Sequence, residues 1–427
     1  MNLDHPLDAA ALHDLALGHL AACQICGSRN LRPVLDLGHQ PPCDSLLTAA
    51  QLDEPESLYP LRLMQCGACG LAQIDYVVRP DILFHPHYPY RTGITATLVR
   101  YLHGTASRTV EAFGYPRGSL AIDIGSNDGT LLKGFLATGM RVLGIEATNV
   151  AEIARADGVE TIQAFFGESL ARRIVETHGK AAIVTSTNMF AHIPNLGDLL
   201  RGVTTLLGEG GVFVTESHYL LDLIETAQYD SIYHEHLKYY SLHPLAKLFS
   251  YYDFSIVDAE RIPNYGGSIR VFAMKGRGRA GSARLAALLE AEERAGINGS
   301  EAFARFVPLV EASKLELQKL LVALKLAGTP APGIGCPGRS STLLNYCNID
   351  PLLMPYIAEQ SSSLKLGLFL PGKHIPIVDE KRLFEEQPEY AVMLSWHYAE
   401  PIIKKLRERG LRSKLIIPLP SLRVVER

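Results

Sequence analysis

The chain has 427 residues, of which 47% are apolar and 20% charged, with 41 Lys and Arg against 45 Asp and Glu and a formal net charge of −4. Such a chain can bury sizeable cores, so it is no disordered scaffold, and its length suggests two to three domains. The near balance of charge argues against a dedicated nucleic-acid binder, and no apolar run of about 18 residues marks a membrane span. Asp4, Asp8 and Asp14, with no basic stretch ahead of an apolar core, do not make a signal peptide, so the expected compartment is the cytoplasm.

Residues 1–92 are rich in Pro, Gly, Cys and His and hold only short apolar runs. Four of the seven cysteines form two pairs, Cys23-Gln-Ile-Cys26 and Cys66-Gly-Ala-Cys69, separated by 39 residues and each followed by glycine, Gly27 and Gly70. Two such knuckles can supply four thiolates to one tetrahedral zinc. Four reduced thiols, or a redox pair, are the competing readings. A redox pair usually sits at a strand-to-helix turn, and two of them would be unnecessary. A closed shell of four thiolates leaves no open position, so the expected zinc is structural. An odd count of cysteines is a poor disulfide framework, and Cys43, Cys336 and Cys347 read as ordinary thiols.

From 93 to 280 the pattern predicts a helix over 94–113 and then alternating strands and helices. Strands are expected at 119–126, 141–147, 159–165, 181–188 and 210–217, with helices at 128–139, 149–158 and near 196–207. A late strand hairpin, 255–262 and 267–276, closes the sheet. This is the punctuation of a doubly wound α/β sheet. Residues 282–326 have helical periodicity and read as a connector. A smaller α/β domain follows to residue 427, with strand, helix, strand, strand, helix, strand.

The first strand ends in Asp123-Ile-Gly125-Ser126-Asn127-Asp-Gly129, where glycines let a ligand approach the backbone beside a helix N-terminus. It is neither G-x-G-x-x-G nor a P-loop, so the dinucleotide and nucleoside-triphosphate readings are weak. Glu146 ends the second strand, where an acid binds a ribose. A glycine turn followed by that acid is the arrangement of class I S-adenosylmethionine methyltransferases. Asn188 and His192 follow the fourth strand. The densest polar cluster, Gln228 to His236, follows the fifth and includes Tyr233, His234, Glu235 and His236. A metal-binding His-x-His pair or a solvated surface run would account for the cluster equally well. Its place at the carboxyl ends of the strands favours a site.

The segments "CQICGSRNLRPVLDLGHQP…CGACGLAQ", "YPYR", "IDIGSNDGTLL", "NMFAHIP", "IYHEHLKYYSL", "GGSIRVF", "STLLNYC" and "FLPGKHIPI" span essentially the whole chain. Together they resemble the sugar C-methyltransferases that act on nucleotide-linked keto-deoxysugars. The resemblance implies a zinc-binding domain (1–92) that contributes to the sugar pocket and a class I methyltransferase domain (93–280). A helical connector with a C-terminal Rossmann-like nucleotide-sugar domain (281–427) completes the chain. It implies His236 as general base and Glu235 as orienting group, with Tyr233, Tyr90 and His192 lining the sugar pocket. Asp123, Gly125, Ser126, Asn127, Gly129, Glu146 and Asn188 are the expected contacts of S-adenosylmethionine. Arg339, Asn345, Lys365 and His374 are the expected contacts of the nucleotide diphosphate, and Cys23, Cys26, Cys66 and Cys69 hold zinc. The chain departs from the family pattern at Arg339 (commonly lysine), Tyr265 (commonly histidine), "TESHY" at 215–219 and "CDS" at 43–45.

The implied reaction is methylation of a carbon next to the ketone of a 4-keto-6-deoxysugar, with C3 the expected carbon, through an enolate formed by a histidine base. The alternative is an O- or N-methyltransferase on a nucleotide sugar or a related glycan precursor. An inactive binding module and a nicotinamide oxidoreductase are further rivals. The expected partners are the nucleotide-sugar substrate and no nucleic acid or membrane, and the expected state is a monomer or weak homo-oligomer.

Overall fold

The computed structural model describes residues 17–84, 91–94 and 96–426. Tyr90, expected in the sugar pocket, lies outside the described residues.

The N-terminal unit is an antiparallel four-stranded sheet in the order Lys238–Tyr239, Ala72–Ile74, Tyr59–Cys66, Leu31–Gln40. Tyr59–Cys66 alternates, with Leu61, Leu63 and Gln65 turned inward, as one buried face requires. The edge strand Lys238–Tyr239 comes from the far side of the chain, two residues after His236. It pairs with Gln73 and Ala72, so the polar cluster is woven into the cysteine-bearing unit.

The central sheet has seven strands: β1 (Leu120–Ile124), β2 (Arg141–Glu146), β3 (Thr161–Gln163), β4 (Ala181–Thr187), β5 (Leu207–His218), β6 (Phe254–Ile262) and β7 (Ser268–Lys275). Their order is β6-β7-β5-β4-β1-β2-β3. The pairs among β1 to β5 are parallel, and β7 lies antiparallel between β5 and β6. In β1, Leu120, Ile122 and Ile124 join one buried cluster and Ala121 the other. In β5, Phe213 faces one side and Val212 and Val214 the other. A parallel sheet covered on both faces needs this continuous burial. The sheet is the expected doubly wound one.

The two helices expected as a connector, Ala283–Ala295 and Glu301–Leu326, also pack into the body. Buried Glu292 accepts hydrogen bonds from the Tyr219 hydroxyl (2.9 Å) and the Leu242 amide (2.7 Å). Burial raises its carboxyl to about 7. Phe303, Phe306, Val310, Leu317 and Leu321 turn the longer helix inward.

The C-terminal sheet has six strands in the order Ile377–Asp379, Ile357–Glu359, Gly333–Ile334, Tyr390–Met393, Lys414–Ile417, Arg423–Val425. Five are parallel, and the last is antiparallel. Ile377–Asp379 and Arg423–Val425 exceed the four expected strands. Each is three residues long and carries a charged residue, too short a run to stand out by periodicity. Among the described residues no helix is long and apolar enough to cross a membrane.

Candidate active site and cysteine centre

The four cysteines of the two knuckles converge. Their Sγ atoms all lie within 4.8 Å of one another, the closest pairs, Cys23 with Cys69 and Cys26 with Cys66, at 3.5 Å. A tetrahedral zinc with bonds of about 2.3 Å separates its sulfurs by roughly 3.8 Å, so the donor set and spacing fit that ion. Amides already point at the sulfurs: Ile25 N–H and Cys26 N–H toward Cys23 Sγ, and Ala68 N–H toward Cys66 Sγ. The Gly27 and Gly70 amides close the knuckles on the Cys23 and Cys66 carbonyls.

At the end of β1 the chain turns through Gly125, whose φ is +77°, and a Cβ there would lie 2.8 Å from Met189 Cγ. Only glycine suits both demands. Glu146, ending β2, accepts from the Asn127 amide (2.9 Å) on one oxygen, and from the Thr148 amide (2.9 Å) and hydroxyl (2.8 Å) on the other. Asp123 accepts from the Thr185 hydroxyl at 2.6 Å. Burial holds its carboxyl up at about 7, against the opposing pull of that bond. Thr92 N–H donates to Asn127 Oδ1 (2.9 Å) and Gly93 N–H to Asp128 Oδ2 (2.8 Å). This second clamp on the loop was not foreseen, because its signal is backbone rather than side chain. Ser126 Oγ and Asn188 Oδ1 are buried without a hydrogen-bond partner among the described residues. These orphaned atoms and the Gly125 turn fit the polar edge of a nucleoside cofactor.

Across the carboxyl ends of β4 and β5 sits a cluster of rings. His236 is buried, with Tyr233 at 3.9 Å, His218 at 4.5 Å and His192 at 4.9 Å between ring centroids. His236 Nδ1–H donates to the Ser231 carbonyl at 2.7 Å; a carbonyl only accepts, so Nε2 carries the lone pair. Burial, then the imidazoles of His218 and His192, hold His236 well below the usual histidine value. Burial likewise takes His192 to about 4 and, with Arg339 next, His218 to about 3. Tyr233 is pushed well above the usual phenol value, first by burial and then by Cys43 and Glu235. Glu235 is buried and accepts from the Cys43 thiol at 3.3 Å. His218 escaped the sequence reading. Its signal was a histidine at the end of the fifth strand, inside the "TESHY" departure.

The C-terminal candidates each have a protein partner. Arg339 is buried, donating from Nη2 to Asp230 (2.8 Å) and Gln228 (3.0 Å) and from Nη1 to the Tyr265 carbonyl (3.3 Å). Trp396 lies 4.9 Å from its guanidinium and donates to Asp230 at 2.7 Å. Lys365 meets Asp44 (2.8 Å) and the Cys336 carbonyl (2.9 Å). His374 meets Glu56 (3.2 Å), and Asn345 donates to the Ser341 and Pro371 carbonyls (2.9 and 3.0 Å). His192, His218 and His236 are thus brought together, while Lys365 and His374 join the C-terminal unit to the N-terminal one.

Three family models match consecutive parts of the chain: one described as a zinc binding domain over residues 23–84, a methyltransferase domain over 98–259, and a C-methyltransferase C-terminal domain over 263–420. The C-methyltransferase NovU of Streptomyces niveus is 33% identical over 408 residues, covering 94% of this chain and 96% of its own length. A ubiquinone biosynthesis O-methyltransferase of Burkholderia lata is 31% identical over 108 residues, 24% of this chain and 45% of its own. Among solved structures, an S-adenosylmethionine-dependent methyltransferase from Clostridium acetobutylicum overlaps 42% of this chain and 92% of its own, at 13% identity and a TM-score of 0.34.

Proposed function

Because the chain belongs to the C-methyltransferase family, we propose that it methylates a carbon next to the ketone of a nucleotide-diphosphate 4-keto-6-deoxysugar, at C3, with S-adenosylmethionine as methyl donor. One observation supports this reading above the others. His236 is held neutral beside the methyltransferase strand ends, with Nδ1 tied to a carbonyl and Nε2 left as acceptor. A carbonyl makes the neighbouring C–H acidic, and a neutral imidazole within reach can remove that proton as general base.

When bound, the cofactor supplies an electrophilic methyl. Glu146, Asn127, Ser126 and Asn188 would hold it, with Asp123 behind them and Gly125 and Gly129 leaving room for its backbone contacts. Tyr233 stays protonated against the His236 ring and holds the sugar, and His192 closes the pocket on the β4 side. Buried Glu235 orients the sugar or the base. The C-terminal unit forms the remaining wall through Arg339, Asn345, Lys365 and His374. The cysteine centre takes a structural zinc and fixes the sheet that carries Lys238–Tyr239, and hence the segment bearing His236.

The test uses purified protein, S-adenosylmethionine with a ¹³C methyl group, and a deoxythymidine-diphosphate 4-keto-2,6-dideoxyhexose. The expected product carries the labelled methyl on ring carbon, with carbon–carbon coupling to it. A label on oxygen or nitrogen, or no transfer, overturns the proposal.

A further inference from the structure

His218 has no role in that chemistry, although its ring lies closer to His236 than the His192 ring does. It is the last residue of β5, where its backbone is paired with Ser268 of β7. The connection from β6 to β7 holds Tyr265 at a φ of +54°, an uncommon conformation for an aromatic residue. That tyrosine's ring lies 6.2 Å from the His218 ring. The half-buried imidazole makes no hydrogen bond or ion pair among the described residues, and the His236 ring is 4.5 Å away. Side chains in the body of a protein seldom leave such a donor idle beside a reactive group.

Among the described residues, three groups around His236 could donate to an oxygen that gains charge: Tyr233, His192 and His218. The field separates them. Tyr233 faces Glu235 and Asp44, whose negative charge raises its phenol further and would repel an oxyanion. His192 feels Lys238, whose amine is lowered by burial to about 7, so that it is only partly charged at neutral pH. His218 faces Arg339, which reaches this corner through the Tyr265 carbonyl. A positive field that opposes protonation of an imidazole equally favours a negative oxygen beside it.

We propose that His218 is a catalytic residue whose ring N–H donates a hydrogen bond to the ketone oxygen of the substrate as that oxygen becomes an enolate. The inference rests on the enolate reading above. The proton leaves the carbon next to the ketone for Nε2 of His236, the C–H electron pair forms the carbon–carbon double bond, and the C=O pair moves to oxygen. His218 donates without transferring its proton.

The experiment isolates enolisation from methyl transfer. In deuterated water, with S-adenosylhomocysteine in place of the methyl donor, the keto-sugar nucleotide used above should exchange the C–H next to its ketone on wild-type enzyme, followed by proton NMR. His218→Phe should slow that exchange about 100- to 1,000-fold, the usual cost of one oxyanion donor, with the KM for methyl transfer within about threefold. His218→Gln, which keeps an N–H donor, should remain within about tenfold of wild type. Where the Phe variant does not fold, His218→Met takes its place. Exchange by His218→Phe within about threefold of wild type overturns the proposal, as does a His218→Gln variant that falls as far as the Phe one. Should wild type neither exchange nor methylate, the enolate reading itself fails. Should wild type exchange, His236→Asn not, and His218→Phe still do so, only the role of His218 fails.

Discussion

The chain contains two parallel-sheet units, and they use their strand ends differently. At the ends of β4 and β5 of the central sheet, the His192 and His218 side chains make no hydrogen bonds among the described residues, and His236 keeps one nitrogen open. Near β1, Ser126 and Asn188 hold buried polar atoms without partners. In the C-terminal unit the charged groups are already paired, Arg339 with Asp230, Lys365 with Asp44 and His374 with Glu56, although Arg339 Nε, Ser340 Oγ and His397 Nδ1 are buried without a partner among the described residues. Sheet architecture alone therefore does not make a site. The central unit leaves histidine side chains unpaired near its strand ends, and the C-terminal unit spends its charged side chains on binding its neighbours.

Changes in the central unit should appear in chemistry. The largest effect is expected from His236→Asn: methyl transfer down two to four decades, the usual contribution of a general base, with cofactor affinity in calorimetry unchanged. A variant within about threefold of wild type would move the base elsewhere. Changes in the C-terminal unit should appear in stability first. Arg339→Ala leaves Asp230, fully buried, without its charged partner and with only the Trp396 N–H, and breaking a buried pair in this way typically costs about 3–5 kcal/mol. Urea unfolding should show that loss, and Arg339→Met with Asp230→Leu should recover much of it. A stable Arg339→Ala enzyme with lost substrate affinity would instead make Arg339 a ligand contact and erase the contrast. Next in size, Glu146→Ala should weaken S-adenosylmethionine by about one to two decades, or roughly 1.5–3 kcal/mol. The Asn127 and Thr148 amides it holds would be released too, so Glu146→Gln, which keeps an acceptor, should fall less. Equal losses would mean that the charge, not loop order, matters. Metal analysis should find about one zinc per chain, falling in Cys66→Ser with Cys69→Ser; zinc-free, fully active protein would refute the cysteine centre.

The elements that were legible in the sequence are those whose cause is local. Cys23, Cys26, Cys66 and Cys69 announce themselves by spacing, and β1, β4 and β5 by buried runs ending in polar turns. Glu146 follows from its place at the end of β2. What stayed hidden depends on pairings across great sequence separation. Lys365 reads as a free cation until Asp44, 321 residues away, is seen beside it, and Arg339 until Asp230, 109 residues away, is. Lys238–Tyr239 is too short to be recognised as a strand, because the sheet it completes belongs to residues 31–74. His218 was hidden for a different reason: one histidine at a strand end carries no periodicity, and only its distance from His236 gives it meaning.

The smallest expected effect tests whether the His236 environment is what it is held to be. A general base works in its unprotonated form, so kcat/KM falls on the acid side as the free enzyme's base takes up a proton. With the ordinary histidine value near 6.5, lowering the pH to 5.5 would protonate about ten-elevenths of the base and cost about tenfold. His236 is instead held well below that value by burial, by the His218 and His192 rings and by Arg339, against the opposing pull of the Ser231 carbonyl. A depressed value moves the acid limb to lower pH, so the loss between pH 7.5 and 5.5 should stay within about threefold wherever the protein remains folded and metal-loaded. His218→Phe removes one of the imidazoles that lower His236, so its limb should move up from that of wild type while burial, the largest cause, still keeps it below the ordinary histidine value. A wild-type limb centred near 6.5 would mean that solvent reaches His236 and that the open, unsatisfied character ascribed to the central unit belongs to a hydrated surface.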